Sequence, residues 1–462
     1  MSQTAFSTLN LHADLLKNLT SLGYESMTPI QAQSLPHILA GEDVIAQGKT
    51  GSGKTAAFGL GLLEKLNVKR FRVQSLVLCP TRELADQVAK EIRKLARTIH
   101  NIKVLTLCGG MPFGPQIGSL EHGAHIIVGT PGRIEEHVRK GTLNLDDLEI
   151  LILDEADRML EMGFQDSLDE IIDAAPQRRQ TLLFSATYPP QIKSVADRIM
   201  HKPVMAKVES MHDESSIQQH FYKVDGNEQR LTALRLLLLK HRPESTVVFC
   251  NTKREAQEVS DDLVDYGFSS IALHGDLEQR ERDQALVRFA NKSTSVLVAT
   301  DVAARGLDID SLDAVINYHL ARDTEVHVHR IGRTGRAGSK GVACSLISDK
   351  EHYKVAMLED YLDRAISGEP LPSMDLLDQP TFRPVMTTLQ IDGGKRQKIR
   401  PGDILGALTG ENGIAGAQVG KIQIFDNFAY VAVKSESVRA AMKKLEDGKL
   451  KGRTFRVRQI TA

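Results

Sequence analysis

Tryptophan is absent from the 462 residues, and aromatic side chains make up only 5% of them. Any stacking on a flat ligand therefore falls to a few Phe and Tyr residues. Cysteine is scarce too. Cys79, Cys108, Cys250 and Cys344 stand alone with no Cys-x-x-Cys pair, and Cys79 and Cys250 end apolar runs, so buried, reduced thiols are expected. No apolar run approaches the roughly 20 residues of a membrane span. The first ten residues lack the charged and apolar regions of a signal peptide, which predicts a cytoplasmic protein without membrane contact. The 35 glycines follow no collagen-like period.

What remains is an ordinary globular composition, 41% hydrophobic and 25% charged, long enough for two or three domains of about 100–200 residues each. The net charge of −1 conceals an uneven distribution. From Arg383 to Ala462 there are 15 Lys+Arg against 7 Asp+Glu. An acidic body with a basic tail points to a polyanion at the tail, although a solvated charged surface reads the same way on charge alone.

Short β-rich runs alternate with helix-length segments, and the pattern occurs twice. Candidate strands are Asp43–Ala46, Ser75–Cys79, Val104–Leu107, Ile126–Gly129, Ile150–Asp154 and Thr181–Ser185, then Thr246–Cys250, Ser270–Leu273, Ser295–Ala299, Ala314–Asn317 and Gly341–Leu346. Continuous apolar strands separated by helices predict parallel sheets covered on both faces, hence two α/β domains in series. The polar stretch Glu209–Gln218 is the natural joint, giving domains over 1–208 and 209–367. Residues 368–384 contain four prolines without sustained periodicity and read as a linker. From 385 to 462 the order β-α-β-β-α-β predicts a small α+β sandwich of the RNA-recognition-motif kind.

Gly48-Lys-Thr-Gly-Ser-Gly-Lys54-Thr55 fits Gly-x-x-x-x-Gly-Lys-Ser/Thr, directly after a strand and before a helical run. Such glycines (Gly48, Gly51, Gly53) let backbone N–H groups, that of Thr50 included, converge on phosphate oxygens at a helix N-terminus. Lys54 brings positive charge to the β/γ-phosphates, and Thr55 offers a hydroxyl to Mg²⁺. Asp154-Glu-Ala-Asp157 follows the strand Ile150–Leu153. There Asp154 suits the metal and Glu155 the attacking water. ATP and Mg²⁺ are the expected ligands.

With these motifs the chain resembles the DEAD-box ATP-dependent RNA helicases from Phe6 to Leu346. The resemblance implies two tandem RecA-like P-loop domains and an RNA-stimulated ATPase that separates short duplexes. It assigns Phe6, Tyr24 and Gln31 (within Thr28-Pro-Ile-Gln31) to the adenine. Pro80-Thr-Arg82, Gly109-Gly110 and Thr130-Pro-Gly-Arg133 would supply the RNA-backbone contacts Arg82, Gly110, Thr130 and Arg133. It makes Asp157, Ser185, Thr187 and His329 the elements coupling hydrolysis to strand separation. Thr300 and Gly306 would line RNA, Asp308 would meet the ribose, and Arg333 and Arg336 would act as arginine fingers. Lys54 and Arg333 fall in different domains, so hydrolysis is expected to need the two domains closed over ATP, and a lobe on its own to be nearly idle.

The tail's layout is similar to that of members of this family that grip a hairpin of 23S ribosomal RNA and serve large-subunit assembly. Phe428 and Tyr430 fall near the stacking positions of an RNA-recognition motif. Gln390 stands where an aromatic partner is usual, so the two rings read equally as core. Lys395, Arg396, Lys398 and Arg400, with Lys449, Lys451 and Arg453, are the better candidates for phosphate contacts. A monomer is expected. The alternatives are an ATP-binding RNA clamp or chaperone with little turnover, and a DNA helicase, which the Asp-Glu-Ala-Asp run and the tail disfavour.

Overall fold

Strands with apolar residues on both faces must be covered on both faces, and the first half of the chain solves this with one parallel sheet. The computed structural model describes residues 4–48, 51–208, 217–304, 312–335 and 341–460. These fall into two compact units, 4–208 and the described residues from 217 onward.

In the first unit β1 (Val44–Gln47), β2 (Ser75–Leu78), β3 (Val104–Leu107), β4 (Ile126–Gly129), β5 (Ile150–Asp154), β6 (Gln180–Ser185) and β7 (Val204–Lys207) form a sheet of order β3-β4-β2-β5-β6-β1-β7. Alternate residues feed two cores. Val77, Ile152 and Leu182 pack on one face, and Leu76, Leu151 and Leu183 on the other. All strand pairs are parallel, so the carboxyl ends of neighbouring strands share one edge. Ligand sites of open α/β sheets form at that edge.

The second unit begins with β8 (Ile217–Lys223), β9 (Thr246–Cys250), β10 (Ser270–Leu273), β11 (Val296–Thr300), β12 (Ala314–Asn317) and β13 (Gly341–Ile347), a parallel sheet of order β10-β11-β9-β12-β13-β8. Eleven of the strands in the two sheets lie within a residue of the positions their apolar runs predict. The other two, β7 and β8, close the edges of the sheets. They lack a long continuous apolar run; β7 reads Val-Met-Ala-Lys and β8 Ile-Gln-Gln-His-Phe-Tyr-Lys. The predicted joint Glu209–Gln218 thus runs two residues into β8, and 209–216 lie outside the described residues. All four cysteines are buried and free.

The tail forms the antiparallel sheet β15-β16-β14-β17, from β14 (Met386–Ile391), β15 (Val419–Ile424), β16 (Ala429–Lys434) and β17 (Val457–Gln459). Leu389, Ile391, Val431 and Val433 face helices Pro401–Thr409 and Val438–Asp447 and make its own core. The opposite sheet face is also covered. Thr388, Gln390, Tyr430 and Ala432 are at most 3% exposed. Thr388 Oγ1 accepts from Asn291 Nδ2 at 3.1 Å and lies 2.7 Å from Ser293 Oγ, just after helix Gln279–Ala290. The face on which an RNA-recognition motif stacks bases therefore packs against the second parallel domain.

The segment 368–384 is a packed strap. Leu371, Leu376, Leu377 and Phe382 pack on the second domain's core, Phe382 meets Phe268 edge-on at 6.0 Å, and Thr381 Oγ1 donates to Gly267 O at 2.9 Å. Its prolines suppress periodicity without implying a free tether.

Candidate nucleotide and RNA sites

Three adjacent strands, β5-β6-β1, deliver the predicted phosphate site to one edge. Asp154 pairs with Phe184 and Gln47 with Ser185, so the strands end level. The loop after β1 is tied down at Gly48, whose N–H donates to Ser185 O at 3.0 Å. At Gly53 φ is +92°, and a Cβ there would lie 2.5 Å from Gln31 Nε2, so this position admits only glycine. Helix Lys54–Lys65 starts here. Lys54 is buried and donates to Gly48 O at 2.6 Å, which holds its ammonium inside the loop. Thr50 lies outside the described residues, whereas Gly51 (φ +79°) and Thr55 belong to the described turn and helix.

Helix Pro29–Ala40 buttresses the loop. Thr28 and Gln31 form a capping box, with Thr28 N–H donating to Gln31 Oε1 at 2.9 Å. Gln31 Nε2 donates to Gly53 O at 3.0 Å and Thr28 Oγ1 to Ser52 O at 2.7 Å. An amide has two donor and two acceptor sites, so Gln31 retains one of each beyond these two bonds. Tyr24 is half-buried, donates to Glu91 Oε1 at 2.7 Å and carries Lys94 over its ring at 5.2 Å. Phe6 lies edge-on to it at 6.3 Å and is only 3% exposed, so it supports the Tyr24 ring from the core.

Asp154 ends β5 fully within the fold. Burial pushes its carboxyl up to about 7, against the pull of Lys54 and with the push of Glu155. Glu155 sits at φ +50°, a left-handed conformation costing roughly 1–2 kcal/mol in a residue with a Cβ. Such strain persists where the surroundings hold it and marks functional turns. Among the described residues no three His, Cys, Asp or Glu side chains cluster as metal ligands. The hydroxyl of Thr55 and the Asp154 carboxylate are hard oxygen donors, and a buried carboxylate raised by desolvation is one that a divalent cation would discharge. The donor set fits a cation that keeps water and phosphate oxygens as its other ligands.

One step along the edge, Asp157 joins β5 to β6. Its Oδ2 accepts from Thr187 N at 3.0 Å and Thr187 Oγ1 at 2.8 Å, and its N–H lies 3.4 Å from Ser185 Oγ. The three predicted coupling residues of this domain are thus one hydrogen-bonded unit.

The other half of the edge, β3-β4-β2, carries the predicted RNA contacts. Arg82 follows β2, Gly110 follows β3 and Thr130 follows β4. Thr130 Oγ1 accepts from Gly109 N–H at 3.3 Å. Gly110 has φ +72°, and a Cβ would fall 2.6 Å from Arg82 Nη1. That nitrogen is buried and has no hydrogen-bond acceptor among the described residues, so it is poised for an anion. Arg133 differs. It donates to Met111 O and Gln116 Oε1, both at 2.9 Å, and pairs with Glu136 at 3.1 Å. Gln116 in turn lies 3.0 Å from His137 Nε2. Arg133, singled out in the sequence, and Gln116, which was not, together brace the Gly109–Phe113 loop.

In the second domain Thr300 ends β11, 9% exposed, and His329 is half-buried on helix Thr324–Ile331. Arg333 follows that helix, and its carbonyl accepts from Leu312 N–H at 3.1 Å. Gly306, Asp308 and Arg336 lie outside the described residues. The residue that organises this edge is Arg330, 2% exposed, which sequence reasoning passed over between His329 and Arg333. It grips Asp301 with two nitrogens at 2.6 and 2.7 Å and reaches Asn317 Oδ1 and His319 O at 3.1 and 2.8 Å, joining the ends of β11 and β12. Arg230, 1% exposed and bonded to Glu351, Tyr318 O and Leu346 O, does the same at the next strands. A buried arginine is legible in sequence only as one more charge.

On the tail, Lys395, Arg396, Lys398 and Arg400 all lie on one turn after β14, and Lys449, Lys451 and Arg453 on another, most of them exposed. Lys395 has Asp426 at 3.8 Å, and Lys451 pairs with Asp403 at 3.0 Å. Tyr430 is 1% exposed. Burial raises its hydroxyl, which sits in the field of Arg280 and Asp283 of the neighbouring domain. Phe425, Phe428 and Tyr430 form one aromatic cluster with ring centroids 5.1–5.6 Å apart. Of the two open candidates, Tyr430 is interior and Phe428 half-buried.

Comparison with known proteins matches three family models along the chain. These are a DEAD/DEAH box helicase at residues 28–195, a helicase conserved C-terminal domain at 229–338, and a DbpA RNA binding domain at 388–459. The chain is 54% identical to the ATP-dependent RNA helicase DbpA of Escherichia coli (strain K12), over 99% of this chain and all of that one. It is 43% identical to a DEAD-box ATP-dependent RNA helicase CshA of Bacillus cereus, over 80% of this chain and 71% of the other. Among solved structures, S. cerevisiae Dbp5 bound to RNA and ADP BeF3 aligns with a TM-score of 0.71 at 31% identity, covering 79% of this chain and 96% of that one. Mss116p bound to ssRNA and AMP-PNP aligns at 0.70 and 26%, covering 79% and 78%. Two parallel sheets of this order, a phosphate loop after β1 and a full-length relative of this identity lead to one conclusion: the chain belongs to the DEAD-box ATP-dependent RNA helicases.

Proposed function

We propose that the tail directs this helicase to a hairpin of 23S ribosomal RNA, and that the two parallel domains remodel nearby helices during assembly of the large ribosomal subunit in the cytoplasm. The match of residues 388–459 to a DbpA RNA binding domain carries the proposal. It is supported by two turns rich in exposed cations on that domain. The tail meets RNA through these turns, since its sheet face is packed against the second domain.

In this reading the loop amides from Gly48 to Gly53, with Lys54, hold the phosphates of ATP, while Gln31 and Tyr24 hold the adenine. Thr55 and Asp154 would hold Mg²⁺, which supplies charge neutralisation on the phosphate oxygens. Glu155, fixed in its left-handed turn, orients the attacking water. Arg333 and Arg336 reach the γ-phosphate from the second domain, so turnover waits for closure, which RNA bound along Arg82, Gly110, Thr130, Thr300 and Gly306 favours. An arginine finger is worth roughly 10³–10⁵ in rate, so the open enzyme is nearly idle. The Asp157–Ser185–Thr187 unit, with His329, passes the state of the phosphate site to the RNA groove. A bent single strand fits such a groove and a duplex does not, so a few base pairs separate on closure.

ATP turnover measured with no nucleic acid, DNA, bulk RNA and the 23S hairpin tests the proposal. The hairpin is expected to stimulate most. Equal stimulation by every polymer sinks the specificity, and tight RNA binding with negligible turnover supports a clamp instead.

A further inference from the structure

A cavity of about 130 Å³ opens where the second domain, the strap and the tail sheet meet, lined by Arg242, Lys292, Arg383, Glu244 and Phe382. Three cations face one carboxylate. Lys292 pairs with Glu244 at 2.8 Å, which leaves the lining two positive charges in excess. Arg242 and Lys292 each follow a helix C-terminus at φ +42° and +54°, positions that glycine fills at lower cost. Two separate helices thus end in a strained cation at the wall of the same space.

The walls are fixed before any ligand arrives. Arg242 Nη1 donates to Pro380 O at 3.3 Å, and its guanidinium lies 5.7 Å from the Phe382 ring. Ser435 binds Val385 O through its N–H at 2.9 Å and Pro384 O through its hydroxyl at 3.2 Å. The cavity is smaller than the several hundred Å³ of a typical cofactor site. It suits a single phosphodiester held by guanidinium and ammonium groups.

Its position gives it a role. Arg383 and Val385 lie just before β14, and the basic cluster Lys395–Arg400 lies just after it. Six residues of strand span roughly 20 Å, about seven stacked pairs of an A-form RNA stem at roughly 2.8 Å each. We propose that this junction cavity is a second RNA foothold, which takes a phosphodiester of the same RNA element that the tail grips at Lys395–Arg400. The inference rests on the tail's role as the RNA-binding domain. Together the two sites measure stem length, because only a stem of about seven pairs or more reaches both.

Binding of the full-length chain to labelled RNA hairpins with stems of about four and about ten pairs, titrated between about 50 and 200 mM salt, tests this. The long stem is expected to show the steeper salt dependence. Arg383→Gln should weaken the long stem about threefold or more and lower its log–log salt slope by about 0.7–0.9, with the short stem unchanged. Glu244→Gln, which raises the cavity's charge, should strengthen the long stem alone, an effect that loss of folding cannot imitate. Equal salt slopes for both stems, or variants that act on both stems alike, overturn the foothold. If neither hairpin outcompetes unstructured RNA of equal length, the tail's hairpin role itself falls and the foothold with it.

Discussion

The phosphate edge of the first domain and the basic turns of the tail handle charge in opposite ways. Around β5-β6-β1, Lys54, Asp154, Asp157 and Ser185 are buried, with Lys54 and Asp154 bonded within their own turns and Asp157 bonded across to the Ser185–Thr187 turn. On the tail, the Lys395–Arg400 cluster projects toward solvent with at most a distant carboxylate. Chemistry on a phosphoryl group needs charges preorganised away from water, where they act at full strength. Recognition of an RNA backbone needs charges that displace counterions, and these work best when solvated and unpaired beforehand.

Substitutions sharpen that contrast. Lys54→Ala should reduce ATP turnover by at least about 10²–10³ while leaving hairpin affinity within twofold or so; impairment of both together would mean that the two regions are not separate. Arg330→Ala strands Asp301 and Asn317 and should destabilise the second unit by about 3–5 kcal/mol, read from the denaturant midpoint. A near-neutral result would mean that this buried network is not structural.

Glu351 supplies a pH test. Burial works to raise its carboxyl, and hydrogen bonds and charge from His319 and Arg230 outweigh this and hold it at about 2. A lowered carboxylate stabilises fully above its ordinary value near 4.5 and loses that contribution as pH falls toward 2. Glu351→Gln should therefore cost about 3 kcal/mol at pH 7 and much less near pH 3. A cost that stays constant with pH would remove the ionic part of the argument.

Neutralising Lys395, Arg396, Lys398 and Arg400 together should cut hairpin affinity tenfold or more at moderate salt. It should also flatten the salt dependence by about 0.7–0.9 for each phosphate no longer neutralised. RNA-free ATP turnover should stay as it was. The smallest effect belongs to Tyr430→Phe, expected to leave RNA affinity unchanged because the ring faces the second domain. A clear drop in affinity there would put a base on that sheet face after all.

The central strands, the phosphate loop and the order of the helicase motifs were legible because each is local. A parallel strand is a continuous apolar run, and a phosphate loop needs glycines at set intervals. The edge strands β7 and β8 were not legible, since β7 offers only three apolar residues in a row and polar residues interrupt β8. Arg330 and Arg230 were not either, because their partners come from strands far along the chain. Likewise the strap's prolines concealed Phe382, whose role depends on meeting Phe268.

The sequence alone determined the chemistry available: a phosphate-binding turn, acidic residues after a strand, and cations concentrated from Arg383 onward. Only the tertiary structure decided which of them are withdrawn from solvent and which are left out. It seated Tyr430 and Thr388 against the second domain, made Arg133 a brace, and gathered Arg242, Lys292 and Arg383 around one cavity. Burial and juxtaposition depend on surfaces that meet across long stretches of chain, and no local pattern of residues specifies them.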